Sequence, residues 1–203
     1  LIQLRLIPLV GDPESAEVDR RLRETPLIAY GGWHSRYPEL FQKYRQEILE
    51  LFAIDPKAEE KVKGWMQRLP EADLTLGLHI RRGDYARWQG GKYFFDDSVY
   101  QKKIEEFIAL HPDKRVNVLI CTNDPQLDLA SYRAVHTQVF LSEGSAIEDL
   151  SLLAHCDYLL GVKSTFSLWA SVYRDLPLYW IEDRETPLSL AGFKTFLDLC
   201  LLV

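Results

Sequence analysis

The chain has 203 residues, enough for one substantial domain or for one domain with a helical appendage. Hydrophobic residues make up 47% of it and charged residues 27%, a balance that is typical of globular proteins and excludes a disordered chain. Since 24 Lys and Arg stand against 30 Asp and Glu, the net charge is −6, and we expect no nucleic acid as a partner.

The cysteines and the apolar runs indicate the compartment. Cys121, Cys156 and Cys200 are widely spaced and odd in number, so we interpret them as core residues in a reducing compartment, not as disulfides or zinc ligands. No apolar run reaches the roughly 20 residues that a transmembrane helix needs, and the first residues do not resemble a signal peptide. We expect a cytoplasmic location, and a chain that is cut or incomplete at its front because it does not start with Met.

Residues 1–70 are predicted to form a mostly helical amino-terminal region. Two segments there have apolar side chains at helical spacing, and Pro70 closes the second of them. The predicted helices are Tyr37–Phe52, Pro56–Leu69 and the short Ala16–Arg23, and Ile2–Leu9 and Pro26–Tyr30 are candidate strands.

Residues 71–203 are predicted to form a second domain, in which strands alternate with helices. The predicted strands are Leu74–Ile80, Val116–Thr122, Gln138–Leu141, Tyr158–Val162 and Leu178–Ile181. The predicted helices between them are Asp97–Leu110, Pro125–Tyr132, Ile147–Cys156 and Thr165–Arg174. This order predicts an α/β fold, a Rossmann-like parallel sheet with helices on both faces and right-handed crossovers.

Paired arginines follow the first predicted strand of this sheet. The segment Leu76–Tyr85 reads LGLHIRRGDY, so His79, Arg81 and Arg82 lie at the carboxyl end of the strand. In open α/β sheets this end faces the ligand crevice, and the planar donor fork of arginine suits a phosphate or pyrophosphate. The pattern favours an anionic ligand, and pairing of the arginines with surface acids such as Asp84 is the alternative.

A hydroxyl-rich segment follows a later strand. After Tyr158–Val162, residues Ser164 and Thr165 open the next predicted helix. Their hydroxyls either only cap that helix or act with its exposed N–H groups and its dipole to hold a phosphate. Because both strands belong to one parallel sheet, we expect the arginines and the hydroxyls to meet at the same rim.

Two segments together resemble a known enzyme family. HIRRGDY at His79–Tyr85 and EDLSLLAHCDYLLGVKSTFSLWAS at Glu148–Ser171 are similar to the α1,2-fucosyltransferases, with a looser likeness to α1,6- and protein O-fucosyltransferases. YGGWHSRY at Tyr30–Tyr37 also resembles the segment before the arginine motif in that family. The resemblance implies the donor-binding half of a GT-B glycosyltransferase, which moves fucose from GDP-fucose to a glycan hydroxyl with inversion. A peripheral position at a membrane where glycans are assembled would fit such an enzyme.

The resemblance also implies a donor site that works without a metal or another cofactor. A fixed guanidinium and a helix N-terminus would stabilise the charge that develops on the departing diphosphate. The implied residues are Arg81 at the β-phosphate, Arg82 in support of the site, His79 and Asp149 near the guanine, and Ser164, Thr165 and Phe166 over the diphosphate.

Acidic residues raise the questions of a metal and of a catalytic base. Asp96 and Asp97 stand at the start of a predicted helix, where the dipole favours acids, and their spacing does not match a D-x-D metal motif. Asp84 is the second catalytic candidate besides Arg81. It either orients Arg82 or Tyr85, or faces the acceptor as a base.

The chain departs from the family pattern at two points. A glycine-rich opening segment is missing, and Lys163 stands where asparagine is common, so that it either strengthens diphosphate binding or points to solvent. The alternative function is therefore a non-catalytic nucleotide-sugar-binding module or a fragment without the acceptor half. Trp33 and His34 either stack on a ligand or pack against a helix, and the glycines in Trp88–Lys92 would let that loop close over a ligand.

Overall fold

The computed structural model of the protein describes residues 9–10, 20, 23–24, 29–30 and 38–200. The chain divides into two compact units, Leu1–Ile48 and Leu49–Val203. The predictions for residues 2–8, for most of Ala16–Arg23, and for Trp33 and His34 lie outside the described residues. A domain boundary at residue 70 stays a prediction.

The first unit begins with two short strands. β1 (Leu9–Val10) and β2 (Ala29–Tyr30) pair in parallel, and the helix α1 (Pro38–Lys43) follows in the same unit. The next helix, α2 (Arg45–Leu51), contains the boundary between the two units. The prediction of one continuous helix over Tyr37–Phe52 was wrong, because Tyr44 separates two helices. The break is local, since the N–H of Tyr44 still donates to the carbonyl of Leu40 at 3.0 Å.

The helix α3 (Pro56–Met66) lies in the second unit and has a capped start. The carboxylate of Asp55 accepts a hydrogen bond from the N–H of Lys57 at 2.7 Å, and Pro56 stands at the first helical position, where its missing N–H costs nothing. Ala58 and Val62 form its buried stripe.

A parallel sheet of five strands organises the second unit. The strands are β3 (Leu74–Ile80), β4 (Val116–Thr122), β5 (Val139–Leu141), β6 (Tyr158–Val162) and β7 (Leu178–Ile181), in the spatial order β5-β4-β3-β6-β7. Four of these strands have the predicted bounds, and β5 is one residue shorter than predicted. The strands are apolar over most of their length because helices cover both faces.

The connections contain α4 (Asp97–Ala109), α5 (Leu129–Val135), α6 (Ala146–Ala154), α7 (Thr165–Val172) and, after β7, α8 (Phe196–Leu199). Short 3₁₀ turns lie at Gly83–Ala86, Trp88–Gly91 and Leu190–Gly192. The helix predicted at Pro125–Tyr132 was placed too early. Asp128 caps it by accepting from the N–H of Ala130 at 3.0 Å, so the helix begins only at Leu129.

The two faces of the sheet bury separate cores. On one face Leu78 and Ile80 pack with α4 and α5, and on the other face Leu119 and Leu159 pack with α3, α6 and α7. Burying one such side chain stabilises the fold by about 1.5–3 kcal/mol. The predicted α/β fold with helices on both faces is confirmed.

The strand order reverses beside β3. Chain order runs from β3 to β4 and β5 on one side, and β6 and β7 then lie on the other side of β3. Such a reversal opens a crevice at the carboxyl ends of the two strands that flank it, here β3 and β6. The arginine motif follows β3 and the hydroxyl-rich motif follows β6, so the topology brings both motifs to this crevice.

Candidate active site

A hydrogen bond joins the loops that follow β3 and β6. The hydroxyl of Tyr85 donates to the main-chain carbonyl of Lys163 at 2.6 Å. Burial raises the pKa of Tyr85, whose exposure is only 8%, so the hydroxyl keeps its proton and remains a donor. The two motifs therefore form one continuous rim.

Below this rim, β3 and β6 approach each other closely. His79 and Gly161 are partners in the parallel register, and a Cβ atom added to Gly161 would lie 2.8 Å from the carbonyl oxygen of His79. Glycine is required at this position because a larger residue would push the strands apart.

Arg81 has the accessible guanidinium of the motif. Its Nη2 lies 2.8 Å from Oδ1 of Asp84, its guanidinium lies over the ring of Tyr85 at 5.7 Å, and its side chain is 36% exposed. The acid therefore pairs with Arg81, and the prediction that it orients Arg82 or Tyr85 was wrong about the partner. The intervening turn sets the pairing, because Gly83 has a φ of 64° that lets the chain fold back.

Arg82 points into the protein instead. Its guanidinium forms an ion pair with Asp97, lies 3.8 Å from Asp124 and leaves only 12% of the side chain exposed. The main-chain N–H of Arg82 donates to Oδ1 of Asn123 at 2.7 Å. Arg82 thus ties the ends of β3 and β4 to the start of α4, and a direct contact with substrate stays a prediction.

His79 lies buried on the face of β3 opposite to Ile80. Its exposure is 6%, its ring contacts that of Phe166 at 5.0 Å between centroids, and its Nδ1 has no hydrogen-bond partner among the described residues. Burial, with the nearby charge of Arg81, lowers the pKa of His79 to about 4. The imidazole is therefore neutral at pH 7 and offers an unused polar atom.

Asp149 belongs to the helix α6 and lies on the same face of the sheet as His79, over the neighbouring strand β4. His79 is paired with Cys121 in the register, and the Cys121 thiol lies 3.8 Å from the main-chain oxygen of Asp149. The hydroxyl of Ser142 donates to the carboxylate of Asp149, and burial raises the pKa of this carboxyl group. The sequence places these groups far apart, and the sheet brings them to one side of the crevice.

The start of α7 forms the other side of the rim. The hydroxyl of Ser164 accepts from the N–H of Phe166 at 3.2 Å, as a helix cap does, while the side chain of Thr165 is exposed. One cap satisfies one of the N–H groups that a helix start leaves free, so others remain for an anion. The ammonium of Lys163 lies 5.9 Å from the ring centre of Trp180.

The sequence profile of glycosyl transferase family 11 matches residues 30–174. The chain belongs to this family.

The curated relatives of this family 11 chain are fucosyltransferases by name. It is 26% identical to the galactoside 2-alpha-L-fucosyltransferase Sec1 of Mus musculus, over 76% of this chain and 45% of that protein. It is 23% identical to the galactoside alpha-(1,2)-fucosyltransferase 2 of Oryctolagus cuniculus, over 76% of this chain and 46% of that protein. The chain spans about half the length of these relatives.

Solved structures of POFUT1 share the fold of this family 11 chain. POFUT1 in complex with GDP matches with a TM-score of 0.60 and 12% identity, over 84% of this chain and 60% of that chain. POFUT1 in complex with GDP-fucose matches with a TM-score of 0.56 and 11% identity, over 80% and 56%. These structures agree with the predicted Rossmann-like α/β fold.

Sequence reasoning missed two residues of the candidate site, Asn123 and Tyr93. Asn123 directly follows β4, and the rule that strand ends face the crevice would have found it. The ring of Trp88 contacts those of Tyr85 and Tyr93, at centroid distances of 4.8 and 5.4 Å. The aromatic spacing in this loop follows neither helix nor strand periodicity, so it gave no signal.

Asp96 and Asp97 have separate partners in the structure. Asp96 pairs with Arg184 at 2.8 Å, and Asp97 is held by Arg82 and by the hydroxyl of Tyr132, which donates to it at 2.7 Å. In the part of the chain that the structure describes, no three His, Cys, Asp or Glu side chains are grouped as metal ligands would be. Metal independence stays a prediction.

The remaining sequence predictions concern the cysteines and the membrane. Cys121, Cys156 and Cys200 are all buried, and none of the three forms a disulfide. Within the described ranges, every helix is too short or too polar to cross a bilayer.

Proposed function

We propose that this family 11 chain carries the donor site of a fucosyltransferase that moves fucose from GDP-fucose to a hydroxyl group of a galactoside. The hydrogen bond from Tyr85 to Lys163 carries this proposal, because it makes one anion-binding rim of two motifs. The relatives that match the chain are named galactoside fucosyltransferases, and POFUT1 of the same fold was solved with GDP and with GDP-fucose.

The diphosphate lies at the rim in this proposal. Arg81 contacts the β-phosphate, and the free N–H groups at the start of α7 and the hydroxyl of Thr165 contact the same diphosphate. The open side of Arg81 and the exposure of Thr165 support this placement. Two charge-assisted contacts from fixed donors are worth more in such a crevice than in water, because no solvent has to reorganise.

The guanine lies on the face that His79 and Asp149 share. The unpaired Nδ1 of His79 and the part-buried carboxylate of Asp149 are the hydrogen-bonding groups available there, and Phe166 adds an aromatic edge. A carboxylate is the natural acceptor for the adjacent N–H groups of guanine. A carboxylate at this position favours guanine over uracil and cytosine.

The transfer itself is a single displacement in this proposal. The acceptor oxygen bonds to the anomeric carbon as the bond from that carbon to the diphosphate oxygen breaks, so the configuration inverts. GDP leaves with the electron pair, and the hydroxyl proton passes to a base or to water on the acceptor side. Arg81 and the N-terminus of α7 stabilise the negative charge on the departing diphosphate, as a metal ion does in other enzymes. Asp84 positions Arg81.

Calorimetric titration with nucleotides tests the proposal. GDP, UDP, CDP, ADP and guanosine are titrated into the chain, each with magnesium and with a chelator. We expect GDP to bind at least about tenfold more tightly than the other four, a difference of about 1.4 kcal/mol, and to bind equally well with the chelator. Equal affinity for all four diphosphates would contradict the guanine site, and a need for magnesium would contradict metal independence alone.

A turnover assay separates the enzyme from the alternative. GDP-fucose and methyl β-galactoside are incubated with the chain, and released GDP and the disaccharide are measured. Transfer supports the enzyme. Tight GDP binding without hydrolysis or transfer would instead assign the chain as a nucleotide-sugar-binding module, which its span of about half the relatives' length would fit.

A further inference from the structure

An aromatic row extends the rim away from the nucleotide side. Tyr85 and Tyr93 are buried, and Trp88 contacts both rings while 37% of its own surface stays exposed. Large aromatic side chains normally bury most of their area, so an indole held in place by two buried rings and left open on the remaining side presents a fixed apolar surface.

The backbone around Trp88 is strained in a way that fixes this surface. Gln89, Gly90 and Gly91 have φ values of 49°, 69° and 80°, three consecutive residues in the left-handed region. For Gln89 this conformation costs free energy, and such costs concentrate at functional sites. A Cβ atom at Gly91 would lie 3.1 Å from the carbonyl oxygen of Ala86, so the turn also requires glycine there.

The row and the proposed guanine site lie on opposite faces of β3. Tyr85 and Tyr93 belong to the core that contains Ile80, whereas Phe166, which contacts His79, packs against the other core. A diphosphate at the rim between them would have its nucleoside on the His79 face. Its sugar, and whatever receives that sugar, would then lie on the Trp88 face.

Arg81 and Trp88 contact the same aromatic ring, that of Tyr85. The Arg81 guanidinium lies 5.7 Å from the ring centre of Tyr85, and the indole of Trp88 contacts the same ring at 4.8 Å. In the proposed site the sugar on the β-phosphate lies beside Arg81, and the acceptor that receives it lies near Trp88, because Arg81 and Trp88 contact the same ring of Tyr85. The flat apolar surface there matches the face of a pyranose that carries only C–H hydrogens.

From this geometry we infer that Trp88 is the stacking platform for the pyranose ring of the galactoside acceptor. The inference rests on the proposed function and adds the position at which the acceptor binds. Trp88 acts in binding and leaves the affinity for GDP unchanged.

Ligand-observed saturation-transfer NMR with methyl β-galactoside tests this inference, with and without GDP. In the wild-type chain we expect the C–H hydrogens of one ring face to receive the strongest saturation. Trp88→Ala should weaken galactoside binding about tenfold, because an aromatic stacking contact is lost, while the calorimetric Kd for GDP changes less than about twofold. Trp88→Phe keeps a flat ring and should retain most of the binding.

Two controls guard the interpretation. Leu190→Ala removes another exposed apolar side chain, outside the rim, and should change neither ligand's affinity. Thermal unfolding of each variant reports folding, and Trp88→Phe keeps the test available if Trp88→Ala does not fold.

The outcomes separate this inference from the proposed function. Galactoside binding that survives Trp88→Ala, or a parallel loss of GDP affinity, would overturn the inference. So would a wild-type chain that binds GDP but shows no saturation of the galactoside, and the donor site would then still stand. A wild-type chain that does not bind GDP would remove the proposed function and this inference together.

Discussion

The hydroxyl of Tyr85 and the carbonyl of Lys163 lie 2.6 Å apart, although 78 positions separate the two residues in the chain. The bond holds the loop of the paired arginines against the start of α7. Because both loops leave parallel strands at their carboxyl ends, this contact defines the width of the crevice in which we place the diphosphate.

Tyr85→Phe should reduce the free energy of unfolding by about 1 kcal/mol, because the Lys163 carbonyl loses its donor. GDP affinity should fall as well, since the two loops are no longer held together. Urea unfolding and calorimetry measure the two effects. Tyr100→Phe is the matched control, because the hydroxyl of Tyr100 is buried without a hydrogen-bond partner among the described residues, and its removal should be neutral or stabilising. Equal destabilisation by both changes would contradict the role of Tyr85.

Arg81→Ala should weaken GDP binding by about 2 kcal/mol, or roughly thirtyfold, because a charge-assisted contact to phosphate is lost. The GDP affinity of Arg81→Lys should lie between those of the wild type and Arg81→Ala, since an ammonium keeps the charge without the planar fork. Arg115 is the matched control. It precedes β4 at the amino ends of the strands, opposite to the crevice, and pairs there with Asp73 at 3.2 Å. Arg115→Ala should therefore leave the Kd for GDP unchanged. Unchanged GDP affinity in Arg81→Ala would refute the assigned site.

Arg82→Met should act on stability, in contrast to Arg81→Ala. Removing a part-buried charge from its partner Asp97 should lower the free energy of unfolding by about 2 kcal/mol. Asp97→Asn should act similarly, and the double variant should lose less than the sum of the two because both changes remove the same pair. Denaturant unfolding of the four proteins measures this coupling. A loss of GDP affinity in Arg82→Met that matches the loss in Arg81→Ala would instead place Arg82 at the substrate.

His79 should make the protein less stable in mild acid. Its pKa is about 4 in the folded state and about 6.5 when unfolded, so between these pH values the unfolded chain binds the extra proton. Stability therefore falls as pH falls from about 6.5 towards 4, by about 3 kcal/mol in total for this group. Urea unfolding across this range should show a shallower decline in His79→Gln. His136→Gln, which removes a histidine outside the candidate site, is the control, and an equal decline in wild type and His79→Gln would contradict the prediction.

Gly161→Ala should destabilise the protein by about 2 kcal/mol, because the new methyl group meets the carbonyl oxygen of His79 at 2.8 Å and must separate β3 from β6. GDP binding should weaken with it, since the crevice opens. Gly64→Ala is the matched control, because its Cβ would meet nothing within 4 Å and the helix α3 should gain up to about 1 kcal/mol. Thermal unfolding compares the two, and a shift of the same sign would contradict the close approach.

Local patterns in the sequence were sufficient to predict most of the architecture. Runs such as Val116–Thr122 are buried on both faces and bounded by turn residues, so their length and composition specify parallel strands. The helix predicted at Pro125–Tyr132 was misplaced because Asp124 and Asp128 both accept hydrogen bonds from nearby main-chain N–H groups. Sequence spacing alone does not decide which of the two caps the helix. Apolar periodicity likewise did not detect the break at Tyr44.

The amino-acid sequence is sufficient to predict that paired arginines and a hydroxyl-rich helix start follow two strands of one parallel sheet. The folded chain adds that Arg81 stays accessible beside Asp84, while its neighbour Arg82 is turned inward to Asp97. Two adjacent arginines are chemically identical, and which of them stays accessible depends on carboxylates supplied by other elements. The ends of the strands follow from local propensity and burial. The partner of a charged side chain depends instead on contacts between residues far apart in the chain.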